Sequence, residues 1–136
     1  MFRVVVDPGV LIAALISSKG APRALLQAWM HGAFELLVSP KLRAELLRVL
    51  ARHKFRRYFT EREAQTYVAF LERFATLCPD VETPPRCSPD PGDDYLLALA
   101  RFHSADFLVS GDPDLCRLEN TEPPVLTARA LLDRLP

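Results

Sequence analysis

The sequence predicts an α/β domain in which helices cover both faces of a parallel β-sheet. Short apolar runs alternate with longer segments of helical periodicity along the 136 residues, which is the order expected of such a fold. The runs are continuously apolar, as strands buried on both faces should be. Two of them lead into an acidic residue, at Asp7 and Asp112. We expect residues 1–136 to form one domain, since this length can bury a substantial core.

The first strand is predicted at residues 3–6, where three valines precede Asp7. A turn-prone Pro-Gly pair follows, and the apolar stretch after it predicts a short helix over residues 10–17. A second helix should begin at Pro22, because proline suits the first helical turn, and it should stop near Gly32.

The middle of the chain predicts a second strand at residues 34–38 and a helix over 40–53. The serine that precedes this helix is a suitable N-cap, and the first residue of the helix is a proline. A further helix over 60–76 is predicted by the capping-box pattern of Thr60 with Glu63.

The remainder of the chain predicts a short strand at residues 77–81, which a proline interrupts. Residues 83–92 contain four prolines and should not form regular structure. A helix is predicted over 93–103 and a strand over 106–110. The chain should end with three short elements: a helical turn opened by Asp112, a strand at 125–126 and a helix at 127–135.

Charge is unevenly distributed in a chain whose formal net charge is zero. Residues 41–62 contain eight basic and two acidic residues, whereas residues 80–122 contain ten acidic and three basic ones. A basic surface beside an acidic site suits a polyanion held near metal ions, although a solvated helix face explains a basic run equally well. The candidates to contact such a polyanion are Arg43, Arg48, Arg52 and Lys54.

The cysteines show neither a CxxC motif nor the spacing of metal ligands, which is typical of a reducing compartment. The N-terminus lacks the pattern of a signal peptide, and no stretch is long enough to span a bilayer. We therefore expect a cytoplasmic protein with no membrane partner. The three cysteines are Cys78, Cys87 and Cys116.

Four carboxylates are placed where the predicted fold could bring them together: Asp7, Glu45, Asp93 and Asp112. Asp7 and Asp112 follow strands of one parallel sheet, whose carboxyl ends share an edge. Glu45 lies at the border of the apolar stripe of its helix, and Asp93 has the spacing to face inward. Ser110 could donate a hydrogen bond at the same edge. Each acid also has a simpler interpretation as a helix cap, a dipole-compensating residue or a solvated side chain.

Carboxylates gathered this closely would raise one another's pKa values and destabilise the fold unless a cation neutralised them. Ligands that are all oxygens select hard ions, Mg²⁺ or Mn²⁺, over Zn²⁺. The three histidines are not spaced as a zinc set. The acids therefore indicate a site for Mg²⁺ or Mn²⁺.

Four segments resemble motifs of the PIN domain family, and they occur in the family's order and spacing. The segments are Val-Val-Val-Asp7-Pro-Gly, Ser39-Pro-Lys-Leu-Arg-Ala-Glu45, Asp90-Pro-Gly-Asp93-Asp-Tyr and Leu-Val-Ser110-Gly-Asp112. The chain resembles the VapC-like branch, which comprises toxin components of toxin–antitoxin systems. This resemblance covers nearly the whole chain.

The resemblance implies a Rossmann-like three-layer α/β/α fold and metal-dependent cleavage of RNA. It implies that Asp7, Glu45, Asp93 and Asp112 are catalytic residues and ligands of Mg²⁺ or Mn²⁺. Ser110 occupies a position where the family usually has Thr or Ser. The resemblance also implies an RNA substrate, an antitoxin partner and a homodimer. Single-stranded RNA is the expected substrate, because a shallow cleft cannot read the interior of a duplex.

One alternative stays open at this point, and two others lack a residue that they need. PIN proteins usually follow the first Asp with Thr or Ser and then Asn, whereas this chain has Pro8 and Gly9, which favours a catalytically silent module that binds RNA or protein. A phosphoacceptor domain would need a lysine after a late strand, but the lysines end at Lys54. A haloacid-dehalogenase phosphatase would need a second Asp at the position of Gly9.

Overall fold

A computed structural model of the chain describes residues 1–82 and 94–136. Within these ranges, five parallel strands form one sheet in the order β3-β2-β1-β4-β5. The strands are β1 (Phe2–Val6), β2 (Phe34–Val38), β3 (Thr76–Leu77), β4 (Phe107–Val109) and β5 (Val125–Leu126). The helices are α1 (Pro8–Ile16), α2 (Ala21–Met30), α3 (Pro40–Leu50), α4 (Glu61–Phe74), α5 (Asp94–Phe102), α6 (Pro113–Cys116) and α7 (Ala128–Leu132), with a 3₁₀ turn at His53–Phe55.

Helices flank the sheet, so the predicted three-layer α/β/α fold is confirmed. Helix α3 packs against α1 and α4, α2 packs against α1, β2 and α7, and α5 packs against β1 and β4. Parallel crossovers are almost always right-handed, so the reversal of strand order after β1 directs α5 to the face opposite α1–α4. The core is formed by the central strands and by the inner stripes of α3 and α5. Its most deeply buried residues include Val4, Val5, Leu36, Leu37, Leu42, Leu46, Leu99 and Leu108.

Element boundaries differ from the sequence predictions where neighbours outside the element decide them. Helix α1 begins at Pro8 and not at residue 10, because Asp7 caps it directly. Helix α3 ends at Leu50 and not at residue 53, because the Arg56 guanidinium donates a hydrogen bond to the carbonyl of Leu50. Strand β3 covers 76–77 in place of 77–81, since its partner β2 ends at Val38. The predicted irregular segment, residues 83–92, lies outside the described residues.

The strand order places one crevice of the sheet between β1 and β4. From β1 the chain proceeds to β2 and β3 on one side, and it returns to β4 and β5 on the other. Val6 pairs with Val109 at the carboxyl ends of the two strands, so Asp7 and Ser110 follow side by side. Ligands of open parallel sheets bind at such a reversal point, which makes this edge the place to look for a functional site.

No single helix among the described residues is long and apolar enough to cross a membrane. Helices α1 and α2 reach the necessary length and composition only when they are taken together, and a 97° bend separates them. Cys78 and Cys116 are free thiols, and Cys87 lies outside the described ranges.

Candidate active site

Asp7, Ser110 and Asp112 form a hydrogen-bonded network at the junction of β1 and β4. The Asp7 backbone N–H donates to the Val109 carbonyl at 2.8 Å, which extends the ladder between the strands by one residue. The Ser110 hydroxyl donates to Asp7 Oδ2 at 2.8 Å and accepts the Asp112 backbone N–H at 3.0 Å. Ser110 is fully buried. Ser110 therefore links the Asp7 carboxylate to the backbone N–H of Asp112, so the two strand ends that carry these acids lie side by side. A shared role of the two acids in one site stays a prediction.

Both strand-end acids also cap the helices that follow them. Asp7 Oδ1 accepts the Gly9 backbone N–H at 2.9 Å, and Asp112 Oδ1 accepts the Asp114 backbone N–H at 2.9 Å. The simpler interpretation of these two acids as helix caps is therefore confirmed. It does not account for the bond from Ser110 to the second oxygen of Asp7, which ties the two caps together.

The electrostatic surroundings of Asp7 are unfavourable for a carboxylate. Burial raises the pKa of Asp7 above its usual value, and the negative charges of Glu45 and Asp112 raise it further, while the hydrogen bonds from Gly9 and Ser110 oppose the shift. Glu45 and Asp112 therefore lie close enough to Asp7 to interact with its charge. A cation at this edge would relieve that repulsion.

Glu45 reaches the site from α3, the helix that starts after the neighbouring strand β2. It is half-buried beside the stripe that contains Leu42 and Leu46, as its predicted position at the border of this stripe requires. Its Oε2 accepts a hydrogen bond from the Tyr95 hydroxyl on α5. Lys41 Nζ lies 4.6 Å from the centroid of the Tyr95 ring.

Sequence reasoning missed Tyr95 and Asp80. Burial raises the pKa of Tyr95 well above its ordinary value, and so do its bond to Glu45 and the charges of Glu45, Asp7 and Asp80. Asp80 also accepts the Lys41 backbone N–H at 2.8 Å, near the start of α3. A signal for Asp80 existed, because it comes three residues after β3 just as Asp112 comes three residues after β4.

The predicted ligand Asp93 lies outside the described residues, so its role stays a prediction. Its neighbour Asp94 opens α5 and is 1% exposed. Among residues 1–82 and 94–136, no three His, Cys, Asp or Glu side chains gather closely enough to hold a metal ion. The donors at this edge are nevertheless carboxylate and hydroxyl oxygens whose charges repel one another, and that chemistry fits a hard divalent cation.

The four basic candidates lie on α3 and the turn that follows it. Arg48, Arg52 and Lys54 are exposed. Arg43 forms an ion pair with Glu72 on α4, so this side chain also links the two helices. No observation tests whether any of the four binds a polyanion, and that role stays a prediction.

Comparison with known proteins identifies a family and a fold. A family model described as PIN domain matches residues 3–114. Among solved structures, the chain is similar to one in the crystal structure of VapBC2 from Rickettsia felis bound to a DNA fragment from their promoter. The TM-score is 0.65 at 10% sequence identity, and the match covers 92% of this chain and 98% of that chain. Comparison with curated proteins gives no match.

Proposed function

The chain belongs to the PIN domain family, and from this premise we propose that it is a metal-dependent endoribonuclease, which hydrolyses phosphodiester bonds in single-stranded RNA. The observation that carries the proposal is the Ser110 bridge between Asp7 and Asp112 at the reversal point of the sheet. A buried hydroxyl that bonds the carboxylate of Asp7 and the backbone N–H of Asp112 is more than two helix caps require. Glu45 lies close enough for its charge to raise the pKa of Asp7 as well.

Each residue has a distinct part in the proposed reaction. Asp7 and Asp112 would hold Mg²⁺ or Mn²⁺, together with Asp93 and with Glu45 either directly or through water. When bound, such an ion supplies Lewis-acid stabilisation of the phosphate charge and lowers the pKa of water. Ser110 keeps Asp7 in place, and Glu45 or Asp93 orients the attacking water. Outside the acidic edge, Arg43, Arg48, Arg52 and Lys54 hold the RNA backbone.

Titration of Mn²⁺ and Mg²⁺ in an RNA cleavage assay tests this function. We expect cleavage of single-stranded RNA that rises with either ion, is absent in EDTA and returns when the ion is restored. The silent binding module, which Pro8 and Gly9 favour, predicts that RNA binds without being cut at any ion concentration. A duplex of the same sequence serves as the substrate control and should be cut more slowly.

The Ser110→Ala variant is expected to lower kcat/KM for RNA by about 10- to 100-fold, the usual cost of removing an outer partner of a metal ligand. The change leaves Asp7 Oδ2 and the Asp112 N–H without the hydroxyl that joins them. Steady-state kinetics at saturating Mn²⁺ measure the effect.

Ser39→Ala is the matched control for that variant. Ser39 is also a buried serine, and its hydroxyl accepts the Leu42 N–H at 3.2 Å as the N-cap of α3. Its loss should cost about 1 kcal/mol of stability and leave cleavage unchanged. Equal kinetic losses in the two variants would contradict a specific role for Ser110.

We further propose that the chain is the toxin component of a cytoplasmic toxin–antitoxin pair and that it forms a homodimer. The similar chain from Rickettsia felis belongs to a VapBC2 assembly on promoter DNA, which supports a protein partner. An apolar cavity of about 490 Å³ lies between α2 and α4 and is bordered by the exposed side chains of Met30 and Phe74. A surface of this kind suits a second protein chain. Light scattering of the purified chain, alone and with the product of a neighbouring small gene, tests both associations.

A further inference from the structure

We propose that Tyr95 is a positioning residue, whose hydroxyl holds the Glu45 carboxylate in the orientation that the acidic edge requires. The inference rests on the proposed function and deepens it, because it assigns a part in the same site to a residue that acts only through Glu45. In this proposal Tyr95 does not itself contact the RNA.

The geometry restrains both ends of the interaction. Tyr95 is 4% exposed on α5, a helix that packs against β1 and β4. Its hydroxyl donates to Glu45 Oε2 across 50 residues of sequence. The Lys41 ammonium lies over the ring at 4.6 Å from the centroid, a cation–π contact that disfavours rotation of the phenol away from α3. The bond therefore fixes one oxygen of a half-buried carboxylate between two helices.

A neutral donor suits this position better than a cation would. Among the described residues two ion pairs form, Arg3 with Glu35 and Arg43 with Glu72, and neither includes Glu45. A phenol donates one hydrogen bond without neutralising the carboxylate, so Glu45 keeps the negative charge that a divalent cation needs. A guanidinium or an ammonium ion bound directly to Glu45 would compete with that cation.

The test is the Tyr95→Phe variant, with the Mn²⁺ dissociation constant measured by the electron paramagnetic resonance signal of free Mn²⁺. We expect affinity for Mn²⁺ to fall by about 10-fold and kcat to fall with it, while KM for RNA stays at the parental value. Tyr67→Phe is the matched control, because the Tyr67 hydroxyl donates to the Leu11 carbonyl at 2.8 Å, away from the acids. This control should lose comparable stability and keep the parental Mn²⁺ affinity and kcat.

A double-mutant cycle with Glu45→Ala shows whether Tyr95 acts through Glu45. In the Glu45→Ala background, Tyr95→Phe should change Mn²⁺ affinity by less than about 2-fold, since the partner that it positions is gone. The inference is overturned by an equal loss in both backgrounds, by parental affinity in Tyr95→Phe, or by tighter binding, which would mean that Tyr95 restrains Glu45 away from the ion. If the unmodified chain binds no Mn²⁺ and cuts no RNA, the proposed function fails, and this inference fails with it. If the parent is active and Tyr95→Phe has the same Mn²⁺ affinity and kcat, only this inference is overturned and the proposed function stands.

Discussion

Replacing Asp7 with Asn should abolish Mn²⁺-dependent RNA cleavage while the chain stays folded. We expect kcat/KM to fall by more than about 100-fold, because the loss of a direct ligand should exceed the 10- to 100-fold cost of losing an outer partner. Folding should survive, since the Asn side-chain oxygen can still accept the Gly9 N–H as the cap of α1. Cleavage at the parental rate would remove Asp7 from the site.

The stability of the same variant should move in the opposite direction from its activity. Burial and the charges of Glu45 and Asp112 raise the pKa of Asp7 in the folded state. The ionised form is therefore disfavoured by folding: the penalty is absent below the unfolded pKa of about 3.9 and is fully present above the raised folded value. Asparagine carries no such penalty. At pH 7 without metal, D7N should melt no lower than the parent.

When metal is added, the parent should melt at a higher temperature than D7N. Mn²⁺ at about 100 times its dissociation constant should stabilise the parent by about 2.7 kcal/mol, and it should leave D7N nearly unchanged. Thermal melts of the parent and of D7N, with and without Mn²⁺, measure the stabilisation of each protein by the ion. A D7N protein that is unfolded before metal is added would show that the Asp7 carboxylate stabilises the fold in a way that asparagine cannot replace.

The strand-end acids could be predicted from sequence because one rule covers both of them. Asp7 and Asp112 follow apolar runs, and the carboxyl ends of parallel strands meet at one edge. The adjacency of the two strand ends therefore depends only on the correct assignment of β1 and β4, and not on the details of packing. Ser110 is predictable for the same reason, since it follows β4 directly.

Contacts between distant helices could not be predicted in this way. The bond from Tyr95 to Glu45 depends on how α3 and α5 are placed relative to the sheet, and helical periodicity reports only which side of each helix is apolar. The end of α3 depends on Arg56, a residue beyond the helix that reaches back to Leu50. Asp80 was missed for a smaller reason, since the predicted strand at 77–81 ran through it.

Replacing the adjacent acids Asp93 and Asp94 with Asn, one at a time, should show which of them is a metal ligand and which has a structural role. The spacing of Asp93 and the resemblance of its segment to the PIN family predict that Asp93→Asn lowers cleavage by more than about 100-fold, as for other direct ligands. Asp94 is 1% exposed in the first turn of α5, where a negative charge stabilises the helix N-terminus. Asp94→Asn should therefore cost about 1 kcal/mol of stability.

Cleavage rates and melting temperatures of the two variants decide the assignment. D93N should lose activity with an unchanged melting temperature, and D94N should melt lower while its cleavage falls by less than about 10-fold, within the range of an outer partner. The reverse pattern would transfer the ligand role to Asp94, which is 1% exposed. That outcome would be informative about sequence reasoning, because adjacent positions of the helix predicted over residues 93–103 differ in direction by about 100°. Activity retained in both variants would contradict the predicted role of Asp93 as a metal ligand.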